Sequence, residues 1–392
     1  MATTGYRLST GFDLSTVFDP YVSGTQSNPT GYQDASGNDL STRFAPYVSG
    51  PQANPTGYKL STGSDLSTVF TPNAPSFPVS RSPLLGAYIF TSMDGPNIVV
   101  STQSSLNAFL YWSVDFGQTL NKATISTDGT TYVEQQFFGC AAISGQYAVA
   151  MGRLTSGGAN NYYFSSDYGR SYRLSSTTGQ TAIEGSGTKI AISGTSAMWA
   201  VNGHPAYRAN IDFSNNTATW TSVVPSAVNV DVSMFGTNAY VCCNTNNNAS
   251  NGFQYSTNYG QTFTKNTNIP GAIACCKQIG TNIYVATTTA IYKLTGGPGS
   301  IPTNVCSGAS LGGASGFVLA IGGCTRSSGD DFILFYTLSN GAYYSNNGGI
   351  SFVLASPSLN IFPLSVHANS TRIISGGQTN STFYWGKNAY IT

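Results

Sequence analysis

The stretch "YYFSSDYGRSYRLS", residues 162–175, sets Ser165, Asp167, Gly169, Ser171 and Tyr172 at fixed offsets. An aspartate among tyrosines and arginines has the makings of a catalytic acid. The same residue types also build a self-bonded turn. There the carboxylate accepts turn amides, a hydroxyl ties the two strands, and glycine takes a positive φ. Recurrence decides between the two. Ser113-x-Asp115-x-Gly117 keeps the spacing, as do Ser256-x-Asn258-x-Gly260 and Ser345-x-Asn347-x-Gly349, each with a Ser or Thr two residues beyond the glycine. A motif repeated along the chain reads as a fold staple, so no catalytic residue is assigned to it.

The other candidates for chemistry are few. The only glutamates are Glu134 and Glu184. Glu184, in "TAIEGSGTK", precedes an apolar strand, and Asp330-Asp331 in "RSSGDDF" offers a second acidic point. With Arg326, Glu184 and Asp330 make the candidate ligand face. Two histidines, His204 and His367, cannot build a histidine-rich metal centre. The seven cysteines include the adjacent pairs Cys242-Cys243 and Cys275-Cys276. Neighbours in a strand point to opposite faces, which suits neither a disulfide framework nor a CxxC metal site; small buried hydrophobes are expected instead. No HExxH, GxSxG or phosphate-binding loop occurs, and neither a metal nor a cofactor is expected.

Residues of this kind need elements to hold them. In 392 residues only 8% are charged, the net charge is +1, and 40% are hydrophobic. No basic stripe supports nucleic-acid binding, and no apolar run approaches the roughly 20 residues that span a bilayer. The N-terminus has no basic and apolar leader, so no signal peptide is expected. Polarity comes from Ser, Thr, Asn and 44 glycines beside 24 tyrosines and 21 phenylalanines, a composition of β-strands and turns.

Two repeats organise the chain. In residues 1–72 a unit recurs every 26 residues, with Asp13-Leu14-Ser15-Thr16-Val17-Phe18 matched by Asp39–Phe44 and Asp65–Phe70. Asp13 can cap one helical turn that puts Leu14, Val17 and Phe18 on one face, and Pro20 stops it. A lone turn is unstable in water, so Leu14, Phe18, Leu40, Phe44, Leu66 and Phe70 are expected to dock on a partner. A proline-rich linker leads to residue 80. From residue 81 to 392, short apolar strands beginning near residues 97, 140, 189, 229, 272, 317 and 365 recur every 40–49 residues. Four-stranded propeller blades need about 40–45 residues each, so the fold expected is all-β: a seven-bladed β-propeller after three N-terminal repeats. The first strand of each blade is expected to be apolar on both faces, and strands from the two ends of the region are expected to pair and close the ring.

The Ser-x-Asp-x-Gly copies resemble the Asp-box, or BNR repeat, of sialidases and sortilin-type propellers. The resemblance implies hairpins at the periphery, away from a central pocket. It also raises sialidase chemistry, with three arginines, a tyrosine nucleophile, a glutamate base and an aspartate acid. The Arg-Ile-Pro segment of that family is missing; "SRSPLLGAY", with Arg81, comes closest. An enzyme is therefore not expected, with a glycan-binding or glycan-cleaving propeller as the alternative. The N-terminal units resemble repeats of structural proteins of large DNA viruses and phages. That implies a virion protein whose repeats anchor it to a major capsid or coat protein, while its propeller faces a host receptor or glycan.

Overall fold

The computed structural model describes residues 44–46, 58–60, 80–83, 88–103, 109–126, 137–153, 160–178, 189–200, 204–225, 229–244, 252–307, 318–337, 341–356, 363–369, 372–377 and 382–387. The chain divides into two units, Met1–Ser76 and Phe77–Thr392. In the first unit, β1 (Phe44–Pro46) pairs antiparallel with β2 (Tyr58–Leu60). Phe44 therefore opens a strand, where a helical turn was expected to end; an aromatic favours the extended pleat, and Pro46 is tolerated on an edge pair. Leu14, Phe18, Leu40, Leu66 and Phe70 lie outside the described residues.

The second unit is all-β. Its strands run as antiparallel meanders. These are β4 (Tyr88–Asp94), β5 (Asn97–Gln103), β6 (Leu110–Ser113) and β7 (Asn121–Lys122), then, after β8 (Thr124–Ser126), β9 (Phe137–Ser144), β10 (Tyr147–Arg153), β11 (Asn160–Ser165) and β12 (Ser171–Leu174). After β13 (Ser176–Thr178) come β14 (Lys189–Ser193), β15 (Ser196–Ala200), β16 (Ala206–Asp212) and β17 (Thr217–Val224). Next are β18 (Asn229–Phe235), β19 (Asn238–Cys243), β20 (Phe253–Ser256) and β21 (Thr264–Lys265), then β22 (Ile273–Ile279), β23 (Asn282–Thr287), β24 (Ala290–Leu294) and β25 (Thr303–Ser307). The last are β26 (Val318–Thr325), β27 (Asp331–Thr337), β28 (Gly341–Ser345) and β29 (Val353–Ser356), followed by β30 (Pro363–Ala368), β31 (Arg372–Gly377) and β32 (Thr382–Lys387). β3 (Ser80–Pro83) pairs antiparallel with β32, so a strand from the start of the unit completes its last sheet.

The arrangement is that of a β-propeller, with six sheets in this unit where seven were expected. The reason is local. One pair, Gln103↔Phe137, joins β5 to β9 and merges the first two meanders into a single nine-stranded sheet. A second difference concerns the first meander. "NIVVS" forms its second strand, and the strand facing the centre is β4, which reaches β5 through a tight turn with Gly95 at φ +58°. The inner strands pack in sequence, β4 beside β9, then β14, β18, β22, β26 and β30, with β30 again beside β4. Among the described residues no helix is long and apolar enough to cross a membrane.

The core lies between sheets. Trp199, Trp220 and Tyr162 fill the space between β9–β12 and β14–β17, with the Tyr162 and Trp220 rings 4.7 Å apart. Side-chain oxygens tie neighbouring inner strands where no backbone ladder can. Ser92 accepts from the Ile143 amide at 3.2 Å, and Ser144 from Gly194 at 3.1 Å. Ser365 accepts from Thr91 at 2.8 Å, which ties the last meander to the first.

Candidate functional site

The four Ser-x-Asp/Asn-x-Gly segments form four turns of one geometry, between the third and fourth strands of their meanders. In the first, Ser113 Oγ donates to Asp115 Oδ1 at 2.6 Å and accepts the Gly117 amide at 2.9 Å, while Asp115 Oδ1 accepts the Thr119 amide at 2.9 Å. Ser165–Asp167–Gly169 repeats this, and Ser171 Oγ adds a 2.6 Å bond to Asp167 Oδ2. In Ser256–Asn258–Gly260 and Ser345–Asn347–Gly349 the asparagine carbonyl takes the carboxylate's place, and its amide donates to Thr262 or Ser351 at 2.9 Å. The glycines sit at φ between +77° and +92°. Two also face the preceding meander closely. A Cβ on Gly169 would lie 2.5 Å from Val99 Cγ1, and one on Gly260 would lie 2.9 Å from Met198 Sδ. The residue before each glycine is left-handed too: Phe116, Tyr168, Tyr259 and Gly348. Its amide donates to the hairpin between the first and second strands, as Tyr168 does to Gln146 at 2.9 Å. Spacing alone did not reveal that second constraint.

Each member of these turns is engaged within its turn. Burial pulls the Asp167 carboxyl upward, yet hydrogen bonds from Ser171, Ser165 and the Arg170 amide outweigh it and hold the group below its usual range. Asp115 is lowered in the same way, with burial again opposed by Ser113 and Thr119.

Of the expected ligand face, Glu184 lies outside the described residues. Arg326 and Asp330 sit on the β26–β27 hairpin. The Arg326 amide bonds the Asp330 carbonyl at 2.8 Å, and its guanidinium donates to the Asn346 carbonyl at 2.8 Å. These contacts join one hairpin to the next turn of the same sheet. Asp331 is buried and accepts from Tyr284 Oη and Asn282 Nδ2, both at 2.7 Å, so it links β23 to β27. Arg326, Asp330 and Asp331 therefore tie together the hairpin ends of the sheets.

The residues that do converge lie on the inner strands. These strands surround an open cavity of about 730 Å³. Its wall mixes apolar and polar surface and carries Asp94, Lys189, Asp231, Lys277 and His367, with Ser92 and Ser365 among them. The expectation of inner strands apolar on both faces is corrected here: "KIAIS", "NVDVSMF", "IACCKQI" and "PLSVHA" each place one ionisable side chain toward the centre. The signal was in the sequence. In a chain with 16 Lys and Arg and 15 Asp and Glu, a charge within an apolar strand is costly and calls for a reason.

The cavity perturbs these groups. Lys277, Asp231 and His367 are half-buried, closed in by the surrounding strands. Burial pushes the Asp231 carboxyl up against the pull of Lys189, the Cys276 amide at 3.2 Å, and Lys277. Burial lowers the Lys277 ammonium, opposed by Asp231 and Asp94. Burial, with repulsion from Lys277 and Lys189, brings the His367 imidazole down to about 3, against its bond to Thr91. Its Nε2 lies 2.8 Å from the Thr91 carbonyl oxygen, so the neutral ring carries its proton there. Two lysines, a carboxyl and an imidazole whose Nδ1 is left as an acceptor can bind and orient a small polar group.

Six of the seven cysteines are buried and none is in a disulfide. The adjacent pairs do face opposite ways. Cys242 and Cys276 meet between β18–β21 and β22–β25, whereas Cys243 packs toward β14–β17 and Cys275 toward β26–β29.

No family model matches the chain, and no curated protein matches it. Solved structures do. YCF48 bound to D1 peptide is 14% identical with a TM-score of 0.56, covering 79% of this chain and 94% of that one. YCF48 from Cyanidioschyzon merolae is 12% identical with a TM-score of 0.52, covering 79% and 98%. The extracellular domain of the putative hybrid two component system BT4673 from B. thetaiotaomicron is 12% identical with a TM-score of 0.51, covering 78% of this chain and 39% of that one. At these identities the likeness is one of fold, and the fold of residues 77–392 is a β-propeller.

Proposed function

We propose that the chain is a non-enzymatic surface component of a virus particle. Residues 1–72 anchor it to a major capsid or coat protein, and the propeller holds a host glycan or surface receptor. The observation that carries the binding half is the central cavity, on which Lys189, Asp231, Lys277 and His367 converge from four inner strands. Convergent polar groups in a cleft are a usual mark of a ligand site. The anchoring half rests on the strict repeat of Leu14, Phe18 and their counterparts every 26 residues. In this reading the nine-stranded sheet counts as two blades, which makes seven, and the four matching turns are Asp-boxes.

The test is direct. The full chain is screened against immobilised glycans, and K189A/K277A is screened beside it; loss in the variant supports the cavity as the site. Binding unchanged by K189A/K277A would overturn it. Because a YCF48 of similar fold is described with a bound peptide, capture of peptides with no glycan captured would replace glycan by peptide in this reading. Purified particles that lack the chain would end the virion assignment.

One observation favours a second reading. Asp231, whose carboxyl is pushed up, lines the same cavity as Asp94. Glycoside hydrolysis needs two carboxyl groups, one to protonate the leaving oxygen and one to act as base or nucleophile. Turnover of glycosides by pure protein, abolished in D231N, would establish that reading in place of the first.

A further inference from the structure

Beyond ligand binding in the cavity, we propose that Asp231, Cys242 and Cys276 form a site for one thiophilic d¹⁰ cation, zinc in the first place, at the seam between β18–β21 and β22–β25. An Asp231 carboxylate oxygen and the Cys242 and Cys276 sulfurs all lie within 4.8 Å of one another. Zinc–sulfur bonds of about 2.3 Å and zinc–oxygen bonds of about 2.0–2.2 Å put tetrahedral ligand atoms roughly 3.4–3.8 Å apart. Closing the difference takes small side-chain rotations and leaves the backbone where it is.

The strands explain why these three residues meet. Asp231 and Cys242 are direct cross-strand partners on β18 and β19, so their side chains share one face of the sheet. Cys276 comes from β22, the inner strand of the facing sheet. The Cys276 amide donates to Asp231 Oδ2 at 3.2 Å, which orients the carboxylate as outer hydrogen bonds orient metal-bound ones. Asp231 and Cys276 line the cavity, whereas Cys242 is fully buried behind them. The fourth tetrahedral position therefore opens toward the cavity, where water or an exogenous ligand can complete the shell.

The charges fit. Cys242 and Cys276 are buried and Asp231 is half-buried. A dication replaces up to three protons and removes the cost of leaving those groups ionised in a core. Two thiolates, one carboxylate and Zn²⁺ sum to −1, and the nearby Lys189 and Lys277 supply the compensating positive charge. Two thiolates select zinc or copper(I) over magnesium or calcium. The step is a proton exchange with no redox change: two thiol S–H bonds and one carboxylic O–H bond are exchanged for metal bonds, and the protons go to solvent.

The experiment uses the tag-free full chain, kept reduced and stripped with a chelator, then titrated with Co²⁺ and competed with Zn²⁺. One equivalent of Co²⁺ is expected to give thiolate-to-cobalt absorption in the near ultraviolet and tetrahedral bands in the visible, and one equivalent of Zn²⁺ should abolish both. The C242S/C276S variant should lose the bands and the zinc-induced rise in melting temperature. D231N removes a direct ligand and should weaken affinity by at least the roughly 10–100-fold that loss of an outer-shell partner costs. C243A should bind as the parent does, because its thiol points away to Asn229 Oδ1 at 3.3 Å. Folding of every variant is checked by circular dichroism, and if C242S/C276S does not fold, D231N and C243A decide the matter. A folded parent that gives no cobalt bands overturns the proposal, as do bands that survive in C242S/C276S or affinity unchanged in D231N. A Cys242–Cys276 disulfide formed in air, with no cobalt binding in the reduced protein, overturns it equally.

Discussion

At the scale of residues, the four turns show how one side chain can hold a backbone conformation that is otherwise unfavourable. Left-handed Phe116, Tyr168 and Tyr259 each cost about 1–2 kcal/mol, offset by the serine and Asp/Asn bonds around them. Asp167→Ala removes the acceptor for the Ser171 amide and hydroxyl, so thermal melting is expected to fall by the equivalent of about 1–3 kcal/mol, with any ligand binding intact. Asp167→Asn reproduces the natural state of Asn258 and should melt close to the parent at neutral pH. Its acid limb should be shallower. The folded pKa of Asp167 is depressed, so its contribution is present above the unfolded value and lost as pH falls through the folded one. His367 acts in the same sense over a higher window. An imidazole at about 3 when folded and about 6.5 when unfolded contributes stability that is full above pH 6.5 and lost progressively toward pH 3. Denaturant midpoints measured from pH 7 to pH 4 should fall less steeply in H367Q than in the parent, and equal slopes would show that His367 does not titrate this way.

At the scale of elements, closure depends on β3. It supplies the fourth strand of the β30–β32 sheet, and no residue after Lys387 is described in its place. A chain that begins at Phe77 should fold with a melting temperature near that of the full protein. A chain that begins at residue 84 leaves β32 as an open edge, and it should melt several degrees lower and aggregate more readily. Equal melting of the two chains would show that the β3–β32 pair contributes little. A related contact sits on the inner ring, where Ser365 Oγ and Thr91 Oγ1 lie 2.8 Å apart. T91V should weaken the contact between β4 and β30 by about 0.5–1.5 kcal/mol, because it removes the hydroxyl–hydroxyl bond and leaves the Thr91 amide bond to Ser365 in place.

At the scale of the whole molecule, the proposed function gives the repeats and the propeller separable tasks. A single docked unit buries little and binds weakly, but three linked units gain by effective concentration, with avidity rising 10²–10⁴-fold. Removing one, two or three units should reduce incorporation into particles steeply and in steps, and F18A/F44A/F70A should mimic full deletion. A chain from residue 80 that incorporates as well as the intact one would sink the anchor reading. Glycan binding by that truncated chain should be unchanged, since its cavity is built wholly from strands after residue 87.

Much of the architecture was legible in local pattern. Turn motifs and apolar strands recurring every 40–49 residues pointed to an all-β propeller, and six of the seven strand starts read from the sequence fall within three residues of β9, β14, β18, β22, β26 and β30. Such signals are short in range: a hairpin carries its own serine, aspartate and glycine. The first meander was misregistered because "NIVVS" is as apolar as an inner strand, and the sequence does not say which of two paired strands faces the centre. The candidate site was less legible still. Lys189, Asp231, Lys277 and His367 are separated by 42, 46 and 90 residues, and only the ring of inner strands turns them toward one cavity. Cys242 and Cys276 looked like packing residues for the same reason. Strand alternation tells which face a side chain takes, but which sheet lies against that face is decided by the order of packing around the ring, and that order exists only in the tertiary structure.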